Sequence, residues 1–591
     1  MKKQVYKQDR WNLKDLLKTH KGPEFENLLK LIDGDVKKFE KYREQLNPNI
    51  SAEKVIEIIK SSERIEVQLS KIGAYSAMLF SIDTKSQEAR TFKDRVTQHF
   101  AELGNRMMFF SLWFKKLDEI NAQRIIQHSG EYKYLLEQSR LTKDYALTEP
   151  EEKIINLKDT TGVSKLNQLY DTITNNFKYE MNINGKKKIL NQSQVMQYVR
   201  NSNPKLREQA YKVILKKFEE NKDILGEIYK GIVTDWKNEC LTLRKYKSHI
   251  TPRNISNDIS DKAIETMLNV CKKNAKVFQE YFKLKAKLMK VKKLSRYHIY
   301  APIHGTEKKY TFNDAVNMVL NCYEQFSPEM AKYASQIINE NHLDSLLGES
   351  KMSGAYCMDI SPGVTPYVLV NYTGTERDVS TLAHELGHGV HDLLAHIQVP
   401  LLSHAPLILA ETASVFGEMI VTEELLKQEE NNKAKQLLIS SKLDDIYATV
   451  IRQSHFIIFE IEAHKAIENG ATIDELSELW LKTLKDQFGN TVTVTDDFRN
   501  EFMYIPHIYH TPFYCYAYSF GNLLVLALYN MYKKEGKSFV PKYLKFLSYG
   551  GSKKPAEIAA ELGIDFESEQ FWQQGFEMIK NMVKELEEIT K

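Results

Sequence analysis

The amino-acid sequence predicts a mainly α-helical protein with a few short β elements, and three observations carry that expectation. Apolar residues recur at helical spacing over most of the chain. One alternating segment runs into Asn184-Gly185, the pair preferred in a tight hairpin turn. A β-branched and aromatic run, Tyr367-Val368-Leu369-Val370, comes just before another stretch of helical periodicity that starts near Asp378.

Residues 1 to about 170 read as successive amphipathic helices. Val55, Ile56, Ile58 and Ile59 form one apolar stripe, and Leu103, Met107, Met108 and Leu112 form another. In the hairpin, Phe177, Tyr179, Met181 and Ile183 alternate with polar residues, and Lys186 to Leu190 returns. Asn203-Pro204 marks a break, so the sequence suggests a helical domain over 1–200, with the hairpin near 177–190, and a second domain over 201–591. Long helical segments follow around 206–246 and 259–293, and Tyr297 to Pro302 reads as a short strand or loop. Ser353 to Tyr372 is a second β-like zone, punctuated by Gly354, Gly363 and Pro366. Beyond Asp378 the pattern is helical, with breaks at Pro400, Pro406, Pro506 and Pro512.

With 591 residues the chain exceeds what one core usually serves. Its 82 basic and 78 acidic residues nearly cancel, which gives no argument for nucleic-acid or membrane partners. Five cysteines are scattered, odd in number and without a C-x-x-C pair, so a reducing compartment is expected rather than a disulfide framework. The first residues show no apolar core of a secretory signal, and the most apolar helix, near Leu523 to Leu528, is short for a bilayer. The default expectation is a cytoplasmic protein.

Thr381 to Gly389 reads T-L-A-H-E-L-G-H-G and contains His384, Glu385 and His388. Residues four apart share a helix face, so the two imidazoles can meet one metal ion, and Glu385 can reach a water on it. That arrangement suits a zinc hydrolase in which the carboxylate takes the water's proton. Gly387 and Gly389 are poor helix formers, which marks places where another backbone comes close. A third ligand must come from elsewhere, because residue 394 is Leu394 and His391 lies two turns along from His384. Glu411 and Glu418, on a helix expected over roughly 407–426, are the candidates. Glu411 is favoured as ligand, since a carboxylate in L-I-L-A-E-T-A-S is costly to bury without a cation, and Glu418 as the partner that orients a ligand histidine. Either could instead be a solvated helix glutamate. Tyr504 to Gly521 packs histidines and tyrosines closely; His507, His510, Tyr514 and Tyr516 are candidate donors to a developing oxyanion, or members of an aromatic packing motif.

Taken together, N-Y-T-G-T-E-R-D-V-S-T-L-A-H-E-L-G-H-G-V-H, A-E-T-A-S-V-F-G-E and H-I-Y-H-T-P-F-Y-C-Y-A-Y-S-F-G resemble the M3 family of zinc peptidases, in its oligoendopeptidase F branch. The resemblance implies one Zn2+ per chain on His384, His388 and Glu411, with Glu385 as general base. It also implies a two-lobed helical zincin, gluzincin-like, with a small sheet beside the metal helix and a deep central channel. Short peptides are the implied substrates, and the strand near 367–372 would pair with their backbone. K-M-S-G-A-Y-C, from Lys351 to Cys357, matches the family's small-residue loop, whereas His298 stands where the family often has aspartate. A zinc carboxypeptidase and a non-catalytic peptide-binding protein are the competing readings.

Overall fold

Small hydroxyl side chains set the starts of the long helices, as their sequence positions suggest. Ser51 accepts from the Lys54 N–H, Ser86 from Ala89 and Ser260 from Ala263, and each begins a helix of 21 residues or more. Thr375 and Thr472 close reciprocal capping boxes with Asp378 and Glu475. The computed structural model describes residues 5–303 and 308–591. None of its described helices is long and apolar enough to cross a membrane.

The chain divides into two compact units, each assembled from three separate segments. The first comprises Met1–Pro150, Glu307–Glu424 and Met531–Ile564. Its N-terminal helices, Ala52–Ile82 and Gln87–Met107 among them, bury Ile58, Ile65, Ile72, Val96 and Leu103 in one apolar cluster. Tyr367 and Leu369 join the same cluster. They belong to a three-stranded sheet in which Tyr367–Leu369 lies between Leu343–Asp344, parallel, and Tyr356–Met358, antiparallel. Cys357 pairs with Val368. The expectation that the 367–372 strand pairs with substrate is thereby corrected. It is the central strand, occupied on both sides; of the two edges, Leu343–Asp344 is flanked by Asp9–Asn12, with Ser345 N–H donating to Asp9 O and Asn12 N–H to Asn341 O (2.9 Å each), and the other edge is Tyr356–Met358. Buried Lys351 ties the preceding loop to the sheet, donating to Asp344 Oδ1 (2.7 Å), Leu346 O (2.8 Å) and Val370 O (2.7 Å).

The helix Glu376–Ala395 packs on this sheet and on the helices Phe312–Phe326 and Pro328–Asn339. The helix expected over roughly 407–426 is in fact two pieces, Leu407–Ala410 and Thr412–Gln428, with Glu411 at the break.

The second unit comprises Glu151–Thr306, Leu425–Asn530 and Asp565–Lys591. The hairpin forms as expected, Tyr179–Ile183 against Lys186–Leu190, with Asn184 (φ 54°) and Gly185 (φ 78°) both left-handed. Its buried face lies on the helix Pro204–Glu220, and the boundary suggested near residue 200 falls inside this unit. Leu294–Ser295 pairs in parallel with Val492–Thr493, just before a tight turn at Arg296–His298. Trp480, Phe459, Phe502 and Tyr229 fill its centre.

Candidate functional site

The helix Glu376–Ala395 buries Leu382, Ala383, Leu386 and Val390 and turns His384 and His388 to its other side. Its approach to the following helix is very close: a Cβ on Gly387 would stand 2.7 Å from both the Ala413 oxygen and the Ser414 Cα. The expectation of backbone contact holds there. At Gly389 the neighbour is instead a side chain, Ile337 Cδ1 at 2.3 Å.

This approach brings the three expected ligands together. His384 Nε2 lies 3.1 Å from His388 Nε2 and 3.3 Å from Glu411 Oε2, and His388 Nε2 lies 3.6 Å from the same oxygen. Donors about 2.1 Å from a tetrahedral ion stand about 3.4 Å apart, so the trio fits a cation of zinc's size. Two Nε2 atoms facing each other at 3.1 Å with no group between them would be an unfavourable contact unless a proton or a metal ion were shared. The three side chains are each 22–24% exposed, so the centre is reachable.

The surrounding groups fix these donors. Glu418 Oε1 sits 2.5 Å from His384 Nδ1, the orienting role expected for it. Ser414 Oγ donates to Glu411 Oε2 at 2.9 Å, a contact not anticipated from sequence. Burial would depress the His384 pKa, but Glu418, Glu411 and Glu385 outweigh it and raise the ring to about 9. Burial and the neighbouring His384 charge lower His388 to about 4. Glu385 is 6% exposed, and burial, with the nearby carboxylates, pushes it to about 7, while the Cys357 backbone N–H favours its ionised form. The carboxylates thus surround the two imidazoles with excess negative charge, which favours a cation. His391 is buried, and desolvation lowers it to about 4, so the ring is neutral.

The 507–518 candidates lie in the second unit. His507 stacks on Tyr514 at 5.9 Å, with Tyr518 edge-on to both. His510 is turned to Asp171, Nε2 to Oδ1 2.9 Å. Tyr516 is fully buried, and its hydroxyl accepts from Asn257 Nδ2 (2.6 Å) and donates to Arg253 O (3.4 Å). His510 and Tyr516 are therefore engaged within their own unit, whereas His507 and Tyr514 make ring contacts and no side-chain hydrogen bond among the described residues. A further acidic trio, Asp159, Asp235 and Glu239, has ligand atoms within 4.8 Å of one another, but Arg244 already pairs with Glu239 at 2.7 Å.

Sequence comparison places the same residues in a wider context. The profile of peptidase family M3 matches residues 197–578. The oligoendopeptidase F homologue of Borreliella burgdorferi is 27% identical over 99% of both chains. Oligopeptidase PepF of Bacillus subtilis is 23% identical over 99% of this chain and 88% of its own. The crystal structure of oligoendopeptidase-F from Enterococcus faecium superposes with a TM-score of 0.73 at 20% identity, covering 96% of this chain and 99% of that one, a likeness of fold.

Proposed function

Because the chain belongs to peptidase family M3, and is on that ground a metalloendopeptidase, we propose that it hydrolyses internal bonds of short oligopeptides with zinc held by His384, His388 and Glu411. The observation that carries this reading is the convergence of three donor atoms at 3.1–3.6 Å beside the Glu385 carboxyl. Two imidazoles and one carboxylate make a donor set that zinc commonly takes in hydrolases. When bound, the ion supplies Lewis acidity towards the scissile carbonyl and a water molecule.

The chain's own residues do the remaining work. Glu418 holds His384 by Nδ1 so that Nε2 faces the centre, and Ser414 fixes the Glu411 oxygen. Glu385 accepts a proton from the attacking water as its oxygen bonds to the carbonyl carbon. The same carboxyl then gives that proton to the leaving nitrogen as the C–N bond breaks. An extended peptide gains backbone partners along Tyr356–Met358, whose outer side makes no backbone–backbone hydrogen bond among the described residues. His507 and Tyr514 are carried as donors to the carbonyl oxygen, on the chemistry of their side chains. All five cysteines are free, which fits a reducing, cytoplasmic setting.

Digestion of short synthetic peptides with and without chelator, read by mass spectrometry, tests the proposal. Internal cuts that disappear with chelator support it. Stepwise loss of C-terminal residues, or binding without cleavage, overturns it.

A further inference from the structure

A groove in the first unit begins where the free strand ends. Two cavities of about 570 and 310 Å3 share Glu66, Ser70, Met107, Ile360 and His404 and so form one continuous trough. Its floor is made of small residues, Gly73, Ala74 and Ala77 on the Ala52–Ile82 helix and Gly104 on the Gln87–Met107 helix. A Cβ on Gly104 would meet nothing within 4 Å, so the space above it is open. Met358 ends the free strand and also lines the trough, with Asp359 and Ile360 continuing from it.

The charge of this trough is one-sided. No lysine or arginine lines either cavity among the described residues. Asp359, its side chain 4% exposed, is shared between His396 (2.9 Å) and His404 (3.4 Å). The Glu66 side chain lies on the open side of the trough, with neither a hydrogen bond nor an ion pair among the described residues, and its partial burial there pushes the carboxyl above its ordinary range. An unaccompanied carboxylate in partly desolvated surroundings is complementary to a cation brought by a ligand.

We propose that the trough receives the part of the peptide substrate that runs past Tyr356–Met358, and that Glu66 selects a cationic group there, either a lysine or arginine side chain or a free N-terminal ammonium. This rests on the peptidase reading given above. An extended peptide advances about 3.3 Å per residue, so a peptide paired along the three-residue strand meets Glu66 only a few residues from the bond it presents to Glu385. Glu66 is thereby a specificity residue and takes no part in bond cleavage.

The test uses a peptide set that differs only in lysine or norleucine at one position, each with a free or acetylated N-terminus. KM is measured by turnover, and affinity by fluorescence anisotropy, for the wild type, Glu66→Gln and Glu66→Lys. The wild type is expected to favour the cationic peptides by about fivefold, the scale of a partly exposed ion pair. Glu66→Gln should abolish that ratio and Glu66→Lys should reverse it. A preference that follows lysine identifies the side chain as the cation, and one that follows the free amine identifies the terminus. An unchanged ratio in both variants, or no preference in the wild type, overturns the proposal. Failure of every peptide in the set to be cleaved would sink the peptidase reading, while anisotropy would still read the Glu66 ratio.

Discussion

Gly387→Ala sets two familiar effects against each other. Helix propensity alone favours alanine by about 1 kcal/mol. Sterics oppose it, because the new methyl would lie 2.7 Å from the Ala413 oxygen and the Ser414 Cα, both of them backbone atoms. Reaching the 3.4 Å at which ordinary contact begins requires the two helices to part by about 0.7 Å (3.4 − 2.7). Overpacking of this kind costs about 3 kcal/mol when no rotamer can absorb it, so a net loss of about 2 kcal/mol is expected. The displaced segment carries Ser414 and, through its hydroxyl, the Glu411 oxygen. Metal–ligand distances tolerate only about 0.2 Å, so zinc affinity should fall by about tenfold or more. Thermal unfolding of the chelator-treated protein isolates the packing term, and zinc titration reads the second. Gly389→Ala is the control: its methyl meets the terminal carbon of Ile337, which can rotate aside, so a smaller loss is expected. A Gly387→Ala variant as stable as wild type, with undiminished zinc affinity, would refute the reasoning.

Glu385→Gln should retain its zinc and lose turnover by about 10²- to 10⁴-fold, checked by metal analysis beside peptide kinetics. His388→Ala should lose both metal and activity on the same two readouts. Glu418→Gln removes the carboxylate 2.5 Å from His384 Nδ1 and should weaken zinc binding by about 10- to 100-fold, measured against a competing chelator. Glu460 is buried and raised to about 8 by desolvation, although its Oε1 accepts the Phe513 N–H. With the folded pKa above the unfolded value, the native state keeps a proton that the unfolded chain releases. Its contribution is complete below about pH 4.5 and is lost as pH rises to about 8, bounded at about 5 kcal/mol. Glu460→Gln should therefore flatten that decline in melting temperature between pH 5 and 8.

The sequence carried the histidine helix and the hairpin turn, because each depends on local rules: i, i+4 spacing and left-handed Asn-Gly. Glu411 was legible through the energy of burying a carboxylate, and Glu418 through its place seven residues on along the same expected helix, even though that helix breaks at Glu411 itself. The sheet order was not. Tyr367–Val370 reads as a strand from its β-branched and aromatic residues, and the resemblance implied that it pairs with substrate, but pairing on both sides is a non-local property, and the three-residue strand Tyr356–Met358 is too short to show a period. The same holds for the units, each built from three distant segments, so no composition shift marks a boundary. Tyr516 stood out for its aromatic surroundings, yet its partners Asn257 and Arg253 lie more than 250 residues away and leave no local trace.

Stoichiometric restoration of activity tests the central claim most directly. Protein stripped by chelator and titrated with Zn2+ should regain cleavage of an internally quenched peptide in proportion to added metal, with a break at one ion per chain, and Glu411→Ala should show no such rise. Full activity in the stripped protein, or undiminished restoration in Glu411→Ala, would contradict the account.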